Sequence, residues 1–585
     1  MSRIPSAVTS VDRRHFLTAA GAVGVSAGIG LALGLGGGSG EATAVGPAAA
    51  APRPAVPSPR GAAAHSATSS APAVPARTTL DTVATPVDTR VPFQRLADGP
   101  GWRRAVRRDL APAGAARTSR RTTLTAFVQL TDLHLADVQH PVRTEYLRAS
   151  DLTGWRPQEA LSVPGAVALI ERINALRNGP ATGTPLSFAM TTGDNTDNNS
   201  LAELDWFLTV MSGGRITPNT GDPRHYEGPQ NSGEPLYWQP ESAVRDVDTR
   251  HGFPRIPGYL DAVARPVTSP GLRLPWYSTV GNHDSLASGA VADRSGYLAE
   301  FAVGDRKLYT VTESEADPLR AILTAGSHPS GDELVALLKR DRRRMRAVTP
   351  DERRAPFTPH QHLAAHLDPS RTGPGPVGHG YTADNLAAGT QYYTFAMGEN
   401  VVGVSIDTTD RGGHFLGSVG TEQLHWLDRT LTAHRDAHVV VFSHHNSWTM
   451  TNTHPDPARP GEGRHTGDEV VALLRRHRNV RAWVNGHSHR NRILPHGSFW
   501  EISTASHVDR PQLARIVELA DNGDGTLSVF TTLIESGAPS RTDFHDLSQT
   551  GLAAMYREFA HNAPGASTTA YGSPEDRNTE LLLKV

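Results

Sequence analysis

The chain has 585 residues, 38% of them hydrophobic and 20% charged, with a formal net charge of −2. That balance suits a globular protein with loop-rich additions and excludes a global electrostatic pull toward nucleic acid or anionic membranes. There is no cysteine, so disulfides and thiolate metal sites are excluded, and any metal must take nitrogen and oxygen ligands, for which 27 histidines are available.

Residues 1–44 have the three-part layout of an export signal: Arg13 and Arg14, an apolar Gly/Ala-rich stretch from Leu17 to Leu35, and small residues ending at Ala44. The paired arginines ahead of Phe16 and Leu17 resemble a twin-arginine signal, which implies the twin-arginine translocation machinery as a partner and an exported mature chain. Residues 45–76 are mostly Ala, Pro, Ser and Gly, with too few large apolar side chains to offset ordering entropy, and read as a disordered linker. Residues 77–122 form an N-terminal extension. No later apolar run reaches the roughly 18 residues a membrane span needs, so no transmembrane segment is expected in the mature chain.

Residues 123–540 read as the catalytic domain. Within it, short apolar runs each end in a polar residue suited to binding metal: LTAFVQL before Asp132, LSFAM before Asp194, LPWYSTV before Asn282, NVVGVSI before Asp407, HVVVF before His444 and VRAWV before His487. Their β-branched and aromatic character predicts buried strands. Helices are predicted between them, one with Pro164 in its first turn and Val167, Ile170 and Ile173 at spacings of three, one carrying Leu424, Leu427 and Leu431, and one opened by Thr466 and Glu469 as a capping box. Alternating strands and helices predict an α/β core. Two inserts, at about 211–270 and 285–390, interrupt the rhythm. ARIVEL and LSVFTTLIE, joined by ADNGDG, predict a hairpin, and 541–585 reads as a C-terminal extension.

The candidate chemistry lies at the strand ends. Asp132 and His134 are two apart, which sends a carboxylate and an imidazole to the same side of an extended backbone. Asp194 follows Gly193, where a missing Cβ permits close backbone approach, and its two oxygens could bridge two ions. Asn282 and His283 lie side by side, His444 competes with the adjacent His445, and His487 and His489 are again two apart. Open α/β sheets gather function at the carboxyl ends of their strands, and that placement unites the fragments.

In their order DLH, GDN, GNHD, SHH and GHSH, these blocks resemble the calcineurin-like metallophosphoesterase superfamily, over roughly Thr123 to Glu535, and look like an exported actinobacterial branch with long inserts. The resemblance implies a four-layer α/β/β/α sandwich of two mixed sheets flanked by helices. It also implies a binuclear, metal-dependent phosphoric ester hydrolase in which a metal-bridging hydroxide attacks a phosphate mono- or diester. One metal would take Asp132, His134, Asp194 and His489; the other would share Asp194 and add Asn282, His444 and His487, with His444 favoured over His445. Mixed Asp, His and Asn ligation suits two divalent or mixed-valence ions of Fe, Mn or Zn. His283 is the candidate partner of the leaving oxygen, since an imidazole exchanges protons near neutral pH, and Asp197 is close enough in sequence to orient it.

Other features carry less. His362 and His366 have helical spacing without a carboxylate companion, His379 sits in a tight loop, and the run from Lys339 to Arg346 suits a solvated helix face. Asp407 suits structural hydrogen bonding beneath the site, and Asp137, His140 and His507 lie within sequence reach of the site loops. The alternatives to a small-ester hydrolase are a nuclease or nucleotidase and, from another class, a non-catalytic metal-binding scaffold on the same fold. Export and near-neutral charge argue against a nucleic-acid substrate, and a scaffold would be expected to have lost ligands.

Overall fold

The computed structural model describes residues 74–585, apart from 115–116, 287, 293–294, 325–330, 413–414 and 457–458. The export signal and nearly all of the proline-rich linker lie outside the described residues. Each of the six apolar runs is a strand or overlaps one. In chain order the strands of the two main sheets are β1 (Ala105–Arg107), β2 (Thr122–Leu130), β3 (Phe188–Thr192), β4 (Trp276–Thr279), β5 (Tyr393–Gly398), β6 (Val401–Ser405), β7 (His438–Phe442), β8 (Val480–Asn485), β9 (Arg492–Pro495), β10 (Trp500–Ser503), β11 (Leu513–Asp521), β12 (Thr526–Glu535) and β13 (Thr579–Lys584).

One sheet has the order β1-β13-β12-β11-β2-β3-β4 and the other β5-β6-β7-β8-β10-β9. Both are mixed. In the first, β2, β3 and β4 run parallel while β11 and β12 form the antiparallel hairpin expected from the sequence, with Leu513 opposite Glu535. In the second, β6, β7, β8 and β10 run parallel between antiparallel edge strands.

Side-chain alternation along these strands sets the layers. Phe127, Phe188, Val440, Phe442 and Val484 fill the space between the sheets. Their strand neighbours Ala126, Val128 and Ala189 turn outward to helices α1 (Ser162–Ala175) and α2 (Leu201–Ser212). Val439, Val441 and Trp483 turn the other way, to α3 (Thr421–Ala433) and α4 (Gly467–Arg476). The result is the four-layer α/β/β/α sandwich. Helix α1 carries Val167, Ile170 and Ile173 on its buried stripe, and α4 opens with the Thr466–Glu469 capping box.

The residues read as terminal extensions enter the core. Strand β13 pairs with β12, β1 pairs with β13, and α5 (Gln549–Asn562) packs on α1. The first insert builds an aromatic cluster with α5 that includes Trp155, Tyr237, Trp238, Phe253 and Phe559. Leu319, Leu323, Leu334 and Leu338 of the second pack against Tyr146 and Leu147. Among the described residues no helix is long and apolar enough to cross a membrane.

Phe127 stacks on Phe188 at 5.0 Å and meets Phe442 of the opposite sheet edge-on at 5.5 Å. Phe127→Ala is expected to cost about 3–5 kcal/mol, lost transfer energy plus the cavity left between rigid sheets. A urea titration checks this, and a loss under about 1 kcal/mol would contradict the packing described.

Candidate metal centre

The carboxyl ends of β2, β3, β4, β7 and β8 converge, and the polar residue after each run comes to one buried point. The loops are tied together by backbone: Asp132 N–H donates to Gly193 O at 3.1 Å, His134 N–H to Asp194 O at 3.0 Å, and Gly486 N–H to His444 O at 3.0 Å. Glycine is required where they touch. A Cβ on Gly486 would lie 1.9 Å from Thr131 Oγ1 and 2.5 Å from Asp132 Oδ2.

All seven predicted ligands are brought together, none more than 3% exposed. His489 Nε2 lies 3.3 Å from Asp132 Oδ1, and His444 Nε2 lies 3.1 Å from Asp194 Oδ2 and 2.9 Å from Asn282 Oδ1. His134 Nε2 is 3.6 Å from Asp194 Oδ2, and His487 Nδ1 is 3.1 Å from His444 Nε2. Five of the seven have left-handed backbone: Asp132, His134, Asp194, His487 and His489, with φ between 43° and 62°. Non-glycine residues avoid that region, and its occurrence at five residues of one cluster marks a functional constraint.

The far side of three of the four imidazoles is fixed by the protein. His134 Nδ1 donates to Asp197 Oδ1 at 2.9 Å, His444 Nδ1 to Thr192 O at 2.8 Å, and His489 Nδ1 to Asp509 Oδ2 at 2.8 Å. Asn282 Nδ2 donates to Gly289 O, which turns its oxygen inward. His134 Nε2 and His487 Nε2 are buried with no hydrogen-bond partner. Buried polar atoms are rarely left so. Two carboxylates, an amide oxygen and four imidazoles within a few ångströms, with a ring nitrogen of His134 facing Asp194 unsatisfied, fit cations held by nitrogen and oxygen.

The electrostatics reflect the crowding of the groups: burial would lower His444 and His489, but the Asp194 and Asp132 carboxylates outweigh it and raise each to about 9. Burial would raise the Asp194 carboxyl, but the His444 and His283 imidazoles outweigh it and hold the group well below the usual range. Burial, then His283, lowers His134 to about 4, which leaves a neutral ring able to act as a ligand.

His445 stands beside His444 and His487 within ligating distance of both, but its ring is committed elsewhere. Its Nδ1 lies 2.8 Å from Thr408 Oγ1 and its Nε2 3.0 Å from Phe415 O. Asp197 has a divided role: its carboxylate meets His134 and Arg143, while its backbone carbonyl accepts from His283 Nδ1 at 2.7 Å. His283 N–H donates to Asp194 Oδ1 at 2.7 Å.

Several functional neighbours are not evident from the sequence. Arg143, fully buried, joins Asp197 to Glu159. Arg156 grips Asp509 through Nε at 2.8 Å and Nη2 at 3.1 Å. Asp284 accepts from Gly281, Asn195 and Thr196 N–H groups, tying the GDN and GNHD loops, and burial followed by Asp194 raises it to about 6. A carboxylate soon after a strand at this same sheet end was the available signal for Asp509. Nothing local distinguishes the arginines.

Other candidates lie outside the centre. Asp407 accepts from Thr409 N–H and Oγ1–H. His379 stacks on Trp276 at 3.3 Å and bonds two backbone carbonyls, and His362 and His366 pack in the same cluster. Asp137 accepts from Thr220, His140 meets Arg354 O, and the His507 ring abuts Tyr556 behind Asp132. Arg340 and Arg344 of the basic run pair with Glu315 and Asp341.

No family model matches the chain. A curated relative, the manganese-dependent ADP-ribose/CDP-alcohol diphosphatase of Danio rerio, is 33% identical over 92 residues, which are 15% of this chain and 27% of that protein. The match thus spans about a quarter of the relative's length. Among solved structures, a dimetal phosphatase from Danio rerio aligns over 71% of this chain and all of its own, at 11% identity and a TM-score of 0.34. A purple acid phosphatase from yellow lupin aligns over 76% and 54%, at 9% identity and 0.26; at such scores neither likeness bears on the assignment. The chain thus places five candidate ligand blocks in order at the strand ends of a four-layer sandwich and shares a local sequence likeness with a metal-dependent diphosphatase.

Proposed function

We propose that the protein is a two-metal hydrolase of small phosphate mono- or diesters that acts after export. The observation that carries the reading is the convergence of all seven ligand side chains, with a buried His134 nitrogen left unsatisfied beside Asp194. Asp132, His134, Asp194 and His489 would hold one ion, and Asp194, Asn282, His444 and His487 the other. When bound, such a pair supplies Lewis acidity toward phosphoryl oxygens and lowers the pKa of a water. Fe, Mn and Zn all suit the ligands, and the name of the curated relative makes manganese the first to test. A non-catalytic scaffold is disfavoured because no ligand position is lost. Arg13 and Arg14 support twin-arginine export.

The chain's own residues supply positioning and proton transfer. His283 Nδ1 is committed to Asp197 O, so Nε2 is the atom through which the protonated ring would give a proton to a departing oxygen. Gly289 keeps the space beside it open: a Cβ there would lie 2.6 Å from His283 Nε2 and 2.4 Å from Asn282 Nδ2. Arg143 and Arg156 compensate the buried charges of Asp197 and Asp509, which orient the ligand imidazoles.

The metal-loaded protein is expected to hydrolyse bis(p-nitrophenyl) phosphate or p-nitrophenyl phosphate, to lose activity on chelation and to regain it with Mn, Fe or Zn. Inertness under all three additions would favour the scaffold. His283→Ala is expected to lower kcat by about 10²–10⁴-fold while metal content is retained. Parallel loss of metal and activity would refute a proton-transfer role. By elemental analysis, His444→Ala should lose about one ion per chain and His445→Gln none, whereas the opposite pattern would exchange their roles. Asp509→Asn should weaken metal binding by about 10–100-fold in a chelator competition.

A further inference from the structure

A cleft borders the metal centre, with His489 and Asp509 as its shared wall. Trp155, Arg156, Arg510 and the loop around Ala566 also line it. The elements that build it are the first residues after the Leu152–Gly154 turn and the segment that follows α5. The superfamily ligand blocks contribute only His489.

The charges along this wall are unequal. Asp509 is spent between Arg156 and His489. Arg510 has no such partner: among the described residues it makes no ion pair with a carboxylate, donates through Nη1 to His561 O at 3.2 Å, and lies over the Tyr571 ring at 5.3 Å. Its Nε is buried without an acceptor. The Trp155 indole Nε1, on a side chain only 3% exposed, also has no acceptor. The unsatisfied Trp155 Nε1–H and the Arg510 guanidinium, whose own Nε–H is unsatisfied, border a single cleft and call for oxygen acceptors and negative charge. The apolar surface of the Ala566 loop suits a carbon linker.

From this we infer that the cleft is a substrate subsite for a second anionic group, a carboxylate or phosphate, borne by the organic part of the ester a few atoms from the scissile phosphorus. The inference rests on the phosphoesterase reading and deepens it: the preferred substrates are esters with two anionic ends, one at the metals and one at Arg510.

The test compares kcat/KM of the metal-loaded protein for phenyl phosphate, 4-carboxyphenyl phosphate and 1,4-phenylene bisphosphate. The esters with a second anion are expected to be preferred by about tenfold or more, as for one added charge-assisted contact. A preference for only one of them supports the subsite and identifies its anion. Arg510→Gln should collapse the preference toward one, and Arg510→Lys should keep part of it. Should Arg510→Gln fail to fold or load metal, Ala566→Phe, which fills the cleft, must collapse the preference instead. No preference in the native protein, or a preference that survives Arg510→Gln or Ala566→Phe, overturns the subsite alone. If the loaded protein cleaves none of the three esters or the p-nitrophenyl esters, the phosphoesterase reading fails and the subsite with it.

Discussion

The structure depends on concentrating ionisable groups where water is excluded. Asp132, Asp194 and four imidazoles share one buried point, and taking such groups out of water is costly unless each meets a counter-charge or hydrogen bond. The surroundings are arranged accordingly. Asp132 accepts from Thr131 Oγ1–H and His487 N–H, Asp194 from His283 N–H, and three of the imidazoles are anchored from behind by Asp197, Thr192 O and Asp509. What this leaves unsatisfied, notably His134 Nε2, lies where cations would complete the set.

The backbone bears a second cost. Left-handed conformation at five ligands costs on the order of 1–3 kcal/mol each, and it persists only where surrounding structure over-determines it. Here the over-determination is visible. The two sheets are closely packed through aromatic contacts, the ligand loops extend the parallel strand pairing, and Asp284 ties two of the loops together with several hydrogen bonds. Stability in the four layers thus sustains strain at their common edge.

The segments outside the five ligand blocks buttress the site and shape its approach. Arg143 and Arg156, both between β2 and α1, carry the positive charge that the outer carboxylates need. The first insert and α5 share one aromatic core, and the segment after α5 closes a wall of the cleft beside His489. The surface beside His489 is therefore shaped by residues outside the ligand blocks.

The sequence by itself determined the strands, the main helices and the ligand candidates. Each signal there is local: β-branched and aromatic runs, a three-residue stripe, a capping box, and polar residues two apart at a strand end. Only tertiary structure shows the different surroundings of His444 and His445, with the ring of His445 claimed by Thr408 and Phe415 O. It alone showed that Asp197 presents its carboxylate to His134 and its carbonyl to His283, and that Arg143, Arg156 and Asp509 complete the site. Those contacts join residues up to several hundred positions apart, and their partners are set by how the layers stack, which no local pattern encodes.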